Sequence, residues 1–195
     1  MVSMKYRNFS VCLITPPQGL KEVYGKFANL ASSQPAIGVC ALGGYLLREG
    51  ISTRIIDADA LSLSIKEIID DLKERPPNLV GIYTHSVNYP VVVKIVEAIK
   101  AEKISTKIVL GGPHMNFAQR EVLIDLGVDF SVKGEGEETL CELSKYLFDG
   151  SKSFDEINGL AFRDVSGEII VNKPRVRLKA LDELPFPAVN LLPDL

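Results

Sequence analysis

Five short apolar runs alternate with longer amphipathic stretches along the first 150 residues of the chain. The runs cover residues 10–15, 52–58, 78–84, 107–112 and 129–134. They are apolar nearly throughout and rich in β-branched residues, which is typical of strands that are covered on both faces. Strands alternating with helices predict a parallel sheet built from β-α-β units. Because such crossovers are right-handed, the pattern favours a doubly wound α/β fold with a five-stranded sheet in the order 2-1-3-4-5.

The stretches between the runs carry apolar residues three and four positions apart, as amphipathic helices do. The pattern predicts one helix over residues 37–48, ending before Gly50, and another over residues 65–74, ending before Pro76. Glycine permits the left-handed backbone that ends many helices, and proline disfavours helix in the residue before it. Three further helices are predicted within residues 89–103, 117–127 and 137–150.

The pattern changes after Gly150. Residues 159–173 have alternating apolar positions on either side of the sequence DVSG, which predicts a β-hairpin with a short turn. Residues 180–195 contain three prolines and little periodicity, which indicates a linker. We therefore expect an α/β domain over residues 1–150, followed over residues 151–195 by a hairpin and a linker that leads to a further domain.

Composition narrows the classes of partner. The chain of 195 residues has a formal net charge of -3, so it lacks the basic character that nucleic acids attract. It has no run of ~18 apolar residues that would span a bilayer, and its N-terminus lacks the apolar core of a secretion signal. We expect a cytoplasmic protein. Its cysteines, Cys12, Cys40 and Cys141, lie in apolar patterns, which indicates buried thiols and no metal site.

Glycine pairs follow two neighbouring strands of the predicted sheet. Gly111 and Gly112 end the fourth run, while Gly134 and Gly136 follow the fifth. Ligands of open α/β sheets bind outside the carboxyl ends of the strands, and glycine lets a bulky ligand approach the backbone there. Two pairs at one edge favour a binding site over simple tight turns. The glutamates around the second pair disfavour a phosphate group as the ligand, because carboxylates repel anions.

Other binding and catalytic classes lack their motifs. The chain has neither the G-x-G-x-x-G sequence of dinucleotide sites after its first strand nor the G-x-x-x-x-G-K-[ST] sequence of triphosphate sites. No serine lies in a G-x-S-x-G elbow, and the two histidines, His85 and His114, are interpreted as polar loop residues without a catalytic role. The loop after the first strand extends to about Pro35, a length that indicates a cover over a ligand.

An ordered series of short sequences runs through almost the whole chain. It consists of ITPP, PAIGVCALGGYLLREG, RIIDADAL, LGGPH, VKGEGEETLCEL, INGLAFRD and LDELPFPAVNLLP. In this order the series resembles the N-terminal cobalamin-binding domain of cobalamin-dependent radical S-adenosylmethionine (SAM) enzymes, in particular those similar to anaerobic magnesium-protoporphyrin IX monomethyl ester cyclase. The resemblance implies a flavodoxin-like cobalamin-binding fold whose carboxyl edge holds the dimethylbenzimidazole tail of the cofactor.

The resemblance also implies a downstream radical SAM barrel in cis, with a four-iron cluster on a C-x-x-x-C-x-x-C motif and a site for S-adenosylmethionine. Because the three cysteines do not form that motif, this chain is expected to be a binding module from the N-terminal part of a longer enzyme, without catalytic residues of its own. The full-length parent would perform methyl transfer or oxidative cyclisation. Porphyrin, lipid, phosphonate and antibiotic scaffolds are all open as its substrates.

Fourteen positions are assigned to the cofactor through the resemblance. They are Gly111, Gly112, Pro113 and His114 beneath the tail, Gly134, Glu135, Gly136 and Glu137 beside it, Thr84 and Ser86 as hydroxyl partners, Pro16 and Pro17 at the wall next to the first strand, and Asp57 and Asp59 at the corrin amides. The two aspartates have a second interpretation, as carboxylates that cap the turn after a strand. Tyr24 and Phe27 are expected either to cover the corrin or to pack the long loop against the core.

The chain departs from the broader cobalamin-binding fold at the cobalt ligand. Other members of that fold carry D-x-H-x-x-G, whose histidine replaces the nucleotide base on cobalt. Here the sequence DADALS places Asp59 at the histidine position and Ser62 at the glycine position, and the loop after the first strand has no histidine either. We therefore expect cobalamin to bind base-off, without a protein histidine on the cobalt.

Two alternatives belong to other classes. The missing histidine motivates the first, a structural or docking domain of a radical SAM protein that has lost cobalamin. The second is a receiver-like or flavodoxin-like domain, which shares the predicted strand order. A receiver needs an acidic pair after the first strand and an aspartate after the third, and a flavin site needs a Ser/Thr/Gly-rich phosphate loop. The sequences TPPQG and THSVN supply neither.

Overall fold

The structure is a computed structural model, and it describes residues 6, 8–17, 36–150, 153–176, 182 and 184–193. Its strands are β1 (Ser10–Thr15), β2 (Ser52–Asp57), β3 (Leu79–Tyr83), β4 (Lys107–Gly111), β5 (Phe130–Val132), β6 (Leu160–Arg163) and β7 (Ile169–Val171). Its helices are α1 (Ile37–Arg48), α2 (Ile65–Glu74), α3 (Tyr89–Ala101), α4 (Met115–Asp125) and α5 (Glu137–Asp149). Most of the long loop after β1, including Tyr24 and Phe27, lies outside the described residues.

The strands form one mixed sheet in the order β2-β1-β3-β4-β5-β6-β7. The first five are parallel and confirm the predicted order 2-1-3-4-5 and the doubly wound class. The predicted hairpin is also present, but it extends the sheet to seven strands, because β6 pairs antiparallel with β5 through Ser131 and Ala161. This pairing covers a strand edge whose backbone groups would otherwise be left open. The alternating pattern predicts a hairpin but does not say which edge it joins.

Helices cover the two faces of the sheet. Helices α1 and α5 pack on one face, where their apolar residues join Leu13 and Val109 in one buried cluster. Helices α2, α3 and α4 pack on the other face, against a second cluster that includes Cys12 and Ile14. Because successive strand residues point to opposite faces, both kinds of position must be apolar. This double burial is the reason for the nearly continuous apolar runs in the sequence.

Local interactions define the helix ends. Helix α2 begins with a capping box, in which Glu67 N donates to Ser64 Oγ at 3.3 Å and Ser64 N donates to Glu67 Oε2 at 2.8 Å. Helix α5 ends at Gly150, whose φ of 68° is the left-handed conformation that glycine tolerates. The predicted bounds of α1 and α2 are confirmed. None of the described helices has the length and apolar character needed to cross a membrane.

The three cysteines are free and buried, as the sequence pattern predicts. Burial raises the pKa of the Cys12 thiol to about 12 and the pKa of the Cys141 thiol to about 11. Both groups are therefore protonated at neutral pH, where a thiol behaves as a small apolar side chain.

A buried amide joins the hairpin to the parallel part of the sheet. Gln119 of α4 donates from Nε2 to the carbonyl oxygens of Ser131 at 3.3 Å and Gly159 at 3.0 Å. In return, Ser131 Oγ donates to the carbonyl oxygen of Gln119 at 3.0 Å. One side chain thus bonds both to β5 and to the residue just before β6, which fixes the hairpin against the edge of the sheet.

We predict that Gln119→Ala lowers the free energy of unfolding by about 2 kcal/mol, because it removes the two bonds from Nε2 at a buried position and leaves the Ser131 bond to the backbone in place. Urea denaturation followed by circular dichroism measures the change. Glu121→Ala on the exposed side of the same helix is the control, with an expected change within about 0.5 kcal/mol. Equal stability of the two variants would contradict the role of Gln119.

Candidate functional site

A pocket of about 210 Å³ opens at the carboxyl edge of the parallel strands, between the sheet and helices α1 and α5. We call it the edge pocket. Its apolar lining includes Leu13, Val39, Leu42, Val109, Val132 and Leu140. The volume is below the ~300 to 1,000 Å³ that is typical of sites for a whole drug-sized ligand. The edge pocket therefore suits one ring system of a larger molecule, with the remainder held outside its mouth.

The topology explains the position of the edge pocket. From β1 the chain continues to β2 on one side, whereas from the adjacent β3 it continues to β4 on the other side. At this reversal of strand order the connections diverge, and a crevice forms outside the carboxyl ends of the strands. Helices α1 and α5 form the walls of the crevice, and the ends of β1, β3, β4 and β5 form its floor.

Gly81, in the middle of β3, is part of this floor. A Cβ at this position would lie 2.9 Å from Leu13 Cδ2 and 3.6 Å from Val109 Cγ1, so a side chain would occupy the space between the two neighbouring strands. The sequence analysis did not select Gly81 or Gly38, which lines the wall on α1. The sequence does contain a signal for Gly81, because a glycine inside an apolar strand often marks a place where a ligand or another backbone segment approaches the strand closely.

The first predicted glycine pair lines the pocket, but its two members have different roles. At Gly111 an added Cβ would meet no atom within 4 Å, so the missing side chain leaves open space. At Gly112 φ is 105°, and a Cβ would lie 2.6 Å from the carbonyl oxygen of Thr84. The backbones of the two loops are joined here, because Thr84 N donates to the Gly111 oxygen at 2.8 Å and His114 N donates to the Thr84 oxygen at 3.2 Å. The missing side chain of Gly112 therefore permits the tight turn and the contact between the two loops.

The second predicted cluster lines the opposite wall of the edge pocket. All four of its members, Gly134, Glu135, Gly136 and Glu137, border the cavity. Gly136 packs closely against α1, since a Cβ there would lie 3.1 Å from Leu42 Cδ2. The Oε2 atom of Glu137 is buried and has no hydrogen-bond partner within the described part of the chain. A buried carboxylate oxygen without a donor is costly and is suited to accept a hydrogen bond from a ligand.

Thr15 at the carboxyl end of β1 carries a second unpaired oxygen. Its side chain is on the same side of the strand as that of Leu13, the side that faces α1 and the edge pocket. Thr15 is only 7% exposed, and its Oγ1 finds no partner among the residues that the structure describes. The sequence analysis did not name Thr15, because a threonine at a strand end is an ordinary feature of a β-strand.

The eight other predicted positions do not line the edge pocket. They are Pro16, Pro17, Asp57, Asp59, Thr84, Ser86, Pro113 and His114. Thr84 is fully buried and donates from Oγ1 to the Ile82 carbonyl oxygen at 3.2 Å. Ser86 Oγ lies 3.3 Å from His114 Nδ1, and the His114 ring stacks on Tyr89 with a centroid distance of 4.4 Å. The two hydroxyl groups thus have internal partners in this structure.

Neither histidine borders the edge pocket. His85 belongs to the same turn as Asn88, whose Oδ1 accepts from His85 N at 2.9 Å. Burial lowers the pKa of His85, which favours its neutral form. Within the described part of the chain, no group of three or more His, Cys, Asp or Glu side chains could hold a metal ion.

Asp57 at the end of β2 caps the turn that follows. Its Oδ1 accepts from Ala60 N at 3.2 Å, and the residue is 2% exposed. This geometry fits the interpretation of Asp57 as a turn cap. Burial raises the pKa of Asp57, so the ionised carboxylate is less favourable here than in water.

A glycine-lined apolar pocket at the switch point of a doubly wound sheet, bordered by a Glu137 oxygen that has no partner among the described residues, defines a cofactor-binding or ligand-binding α/β domain. The chain belongs to the B12 binding domain family, whose model matches residues 26–144.

Curated relatives are longer proteins. The chain is 31% identical over 189 residues to the uncharacterized methyltransferase PH0819 of Pyrococcus horikoshii, a match that covers 94% of this chain and 39% of that protein. It is 27% identical over 151 residues to the anaerobic magnesium-protoporphyrin IX monomethyl ester cyclase of Synechocystis sp., covering 76% of this chain and 30% of the cyclase. The chain thus spans less than half of the length of either relative.

Two solved structures share the fold. The cobalamin-dependent S-adenosylmethionine radical enzyme OxsB, with aqua-cobalamin and S-adenosylmethionine bound, matches with a TM-score of 0.77 at 20% identity, over 93% of this chain and 24% of OxsB. The radical S-adenosylmethionine methyltransferase TsrM from Kitasatospora setae, with cobalamin and a [4Fe-4S] cluster bound, matches with a TM-score of 0.66 at 21% identity, over 92% of this chain and 31% of TsrM. The resemblance inferred from the sequence is confirmed.

We predict that Asp57→Asn is at least as stable as the wild type at neutral pH, because asparagine keeps an acceptor for Ala60 N and removes a buried charge. Because folding raises the pKa of Asp57, ionisation of this carboxyl group opposes folding at pH values above its ordinary pKa of 3.8. The advantage of the variant should therefore shrink as the pH falls through the raised pKa towards that value.

Urea unfolding at a series of pH values measures this difference. Glu74→Gln, which removes an exposed carboxylate on α2, is the control. A stability difference between Asp57→Asn and the wild type that does not change with pH would contradict the prediction.

We also predict that Thr15→Val raises the free energy of unfolding by about 1 kcal/mol, because it replaces an unpaired buried hydroxyl with a methyl group of similar size. Thr53→Val on the neighbouring strand is the matched control. Thr53 is also buried, but its Oγ1 donates to the Ile51 carbonyl oxygen at 3.1 Å. Thr53→Val removes this hydrogen bond and should therefore lower the free energy of unfolding. Thermal and urea denaturation measure both variants, and a loss of stability in Thr15→Val would show that its hydroxyl is satisfied.

Proposed function

We propose that this chain is the cobalamin-binding module of a radical SAM enzyme, with the nucleotide tail of the cofactor in the edge pocket and the corrin ring outside the carboxyl ends of the strands. The observation that carries the proposal is the edge pocket, in which Gly111 and Gly134 leave open space, because a Cβ at either position would meet no atom within 4 Å. Membership of the B12 binding domain family supports the same conclusion.

The residues present fit the group. Dimethylbenzimidazole is a flat, largely apolar two-ring system, which matches an apolar cavity of about 210 Å³. The ribose hydroxyls and the amide side chains of the corrin carry O–H and N–H donors. They could donate to the buried oxygens of Thr15 and Glu137, which have no hydrogen-bond partner among the described residues. A carboxylate at the wall repels the phosphate of the nucleotide loop, so Glu137 would favour the neutral donors of the cofactor instead.

The position of the histidines supports base-off binding without a protein histidine on the cobalt. Both rings have partners within the protein: His85 Nδ1 accepts from Asn88 N at 3.3 Å, and His114 is held between Ser86 and Tyr89. Asp59, at the position of the usual histidine ligand, follows β2 rather than lining the pocket. Bound cobalamin would supply cobalt-centred methyl-transfer or redox chemistry, and the role of this chain would be to bind and orient it.

The reaction would belong to the full-length parent. We propose methyl transfer or oxidative cyclisation, in which a radical SAM barrel in cis provides the four-iron cluster and the site for S-adenosylmethionine. Relatives named as methyltransferases and as a cyclase both match this chain, which supports keeping the two reactions together. The domain would then present its carboxyl edge to the barrel.

A docking domain that has lost cobalamin is the alternative. Without a ligand to bind, larger side chains would fill the crevice, because an apolar cavity and unpaired buried oxygens both reduce stability. The open edge pocket and the unpaired atoms of Thr15 and Glu137 therefore favour the cofactor-binding function.

An absorption titration with hydroxocobalamin tests the proposal. We predict that the wild type shows a saturable change to the base-off spectrum and that Gly111→Val weakens binding at least tenfold, since its side chain would enter the open space of the pocket. Gly111 is preferable to Gly112, because valine at position 112 would strike the Thr84 carbonyl and disturb the turn. Ser52→Val, at the exposed amino end of β2, is the control that introduces the same residue away from the pocket.

Cobinamide, which has the corrin ring but no nucleotide tail, separates the two parts of the proposal. Gly111→Val should affect cobinamide less than cobalamin if the tail enters the edge pocket. Equal losses for both ligands would exclude the pocket as the site of the tail. Absence of any spectral change in the wild type would favour the docking domain.

A further inference from the structure

Residues 184–193, which we call the strap, pack against helix α1. Ala188 is 7% exposed and donates its backbone N–H to the carbonyl oxygen of Cys40 at 2.9 Å. A short 3-10 turn, Val189–Leu191, follows, and Leu191 N donates to the Ala188 oxygen at 3.0 Å. The strap and the helix are therefore joined through their backbones, although the prolines of this sequence indicate a linker.

Two adjacent glycines in the middle of α1 form the seat of the strap. Apart from proline, glycine is the poorest helix former, so its presence there needs a reason. A Cβ at Gly44 would collide with the carbonyl oxygen of Phe186 and would lie 3.3 Å from Ala188 N. A Cβ at Gly43 would lie 3.1 Å from Leu191 Cδ1, which is the movable end of a side chain. Gly44 is the position that lets the strap approach.

The same helix is a wall of the edge pocket. Val39 and Leu42 line the cavity within one turn of the strap contacts at Cys40 and Gly44. The sheet meets the strap at Gly43, where an added Cβ would lie 3.1 Å from Leu191 Cδ1 of the strap and 3.6 Å from Ile55 Cδ1 of β2. The strap therefore supplies part of the packing that holds α1 on the sheet, and its loss would let the pocket wall move.

We propose that the strap is a positioning element of the edge pocket. When it is seated on Gly44, it holds α1 at the spacing from the sheet that receives the ligand. Because coupling between two binding events is reciprocal, a ligand in the pocket must favour the seated strap as much as the seated strap favours the ligand. The ligand part of this inference rests on the proposed cobalamin function, whereas the positioning of α1 does not.

Matched alanine variants test the inference in the 195-residue chain. Gly44→Ala unseats the strap. Gly43→Ala keeps it seated, because the new Cβ would be close only to the flexible end of Leu191, at 3.1 Å, and in ordinary contact with Ile55 and Ala188 at 3.6 and 3.9 Å. Both substitutions improve the helix propensity of α1, so neither weakens the helix itself. Ala188→Pro unseats the strap from its own side. The φ of -77° at Ala188 suits proline, but the N–H donor to the Cys40 oxygen is lost and the ring Cδ takes its place against that oxygen.

Two readouts are needed. Hydrogen exchange of the unliganded proteins should show faster exchange in the strap and in residues 36–48 for Gly44→Ala and Ala188→Pro, with α3 and α4 on the other face unchanged. Absorption titration with hydroxocobalamin should show a dissociation constant raised about tenfold in the same two variants and a nearly wild-type value in Gly43→Ala. Adding hydroxocobalamin to the wild type should slow exchange in the strap.

The results separate the inference from the proposed function. Fast exchange in the strap of Gly44→Ala together with unchanged exchange in α1 would overturn the positioning role, whether or not cobalamin binds. A wild-type dissociation constant in that variant would overturn the coupling. If the wild type binds no cobalamin, the proposed function fails, and the exchange of α1 still decides the positioning role.

Discussion

The site depends on the reversal of strand order between β1 and β3, which brings four strand ends to one edge and sends their connections apart. Helices α1 and α5 cover one face of the sheet but leave a crevice at this edge, and the crevice stays open where Gly111 and Gly134 have no side chains. The edge pocket is therefore a gap in an otherwise close-packed core. Its position follows from the topology, and its depth follows from the glycines.

Absence of a side chain serves three separate purposes here. At Gly112 it permits a positive φ and a close approach to the Thr84 backbone, which joins the loops after β3 and β4. At Gly111 it leaves space for a ligand, because nothing lies near an added Cβ. At Gly44 it lets another backbone segment approach a helix. The three kinds of glycine look alike in sequence and are distinguished only by the atoms around them.

The polar groups divide in a similar way. Thr84 and Ser86 have hydrogen-bond partners inside the protein, and Asp57 caps a turn, so these residues shape the edge without facing the pocket. Thr15 and Glu137 each have a buried oxygen without a partner in the part of the chain that the structure describes, which is unfavourable unless a ligand supplies donors. An apolar cavity beside two unpaired oxygens matches a cofactor with one apolar ring system and many amide and hydroxyl groups. This combination distinguishes the proposed cobalamin site from a simple hydrophobic cavity.

Much of this protein was determined by the sequence itself: the class of fold, the order of the parallel strands, the bounds of α1 and α2, the edge that carries the pocket, and the family. The features of the fold follow from hydrophobic periodicity, helix-end signals and the handedness of crossovers, which act over short stretches of chain. The family follows instead from the resemblance carried by the ordered series of short sequences. Only the tertiary structure decided that the hairpin extends the sheet beyond β5, that Gly81 lies in the floor of the pocket, and that the proline-rich residues 184–193 pack on α1. Each of these depends on contacts between residues far apart in the chain, which a local pattern does not encode.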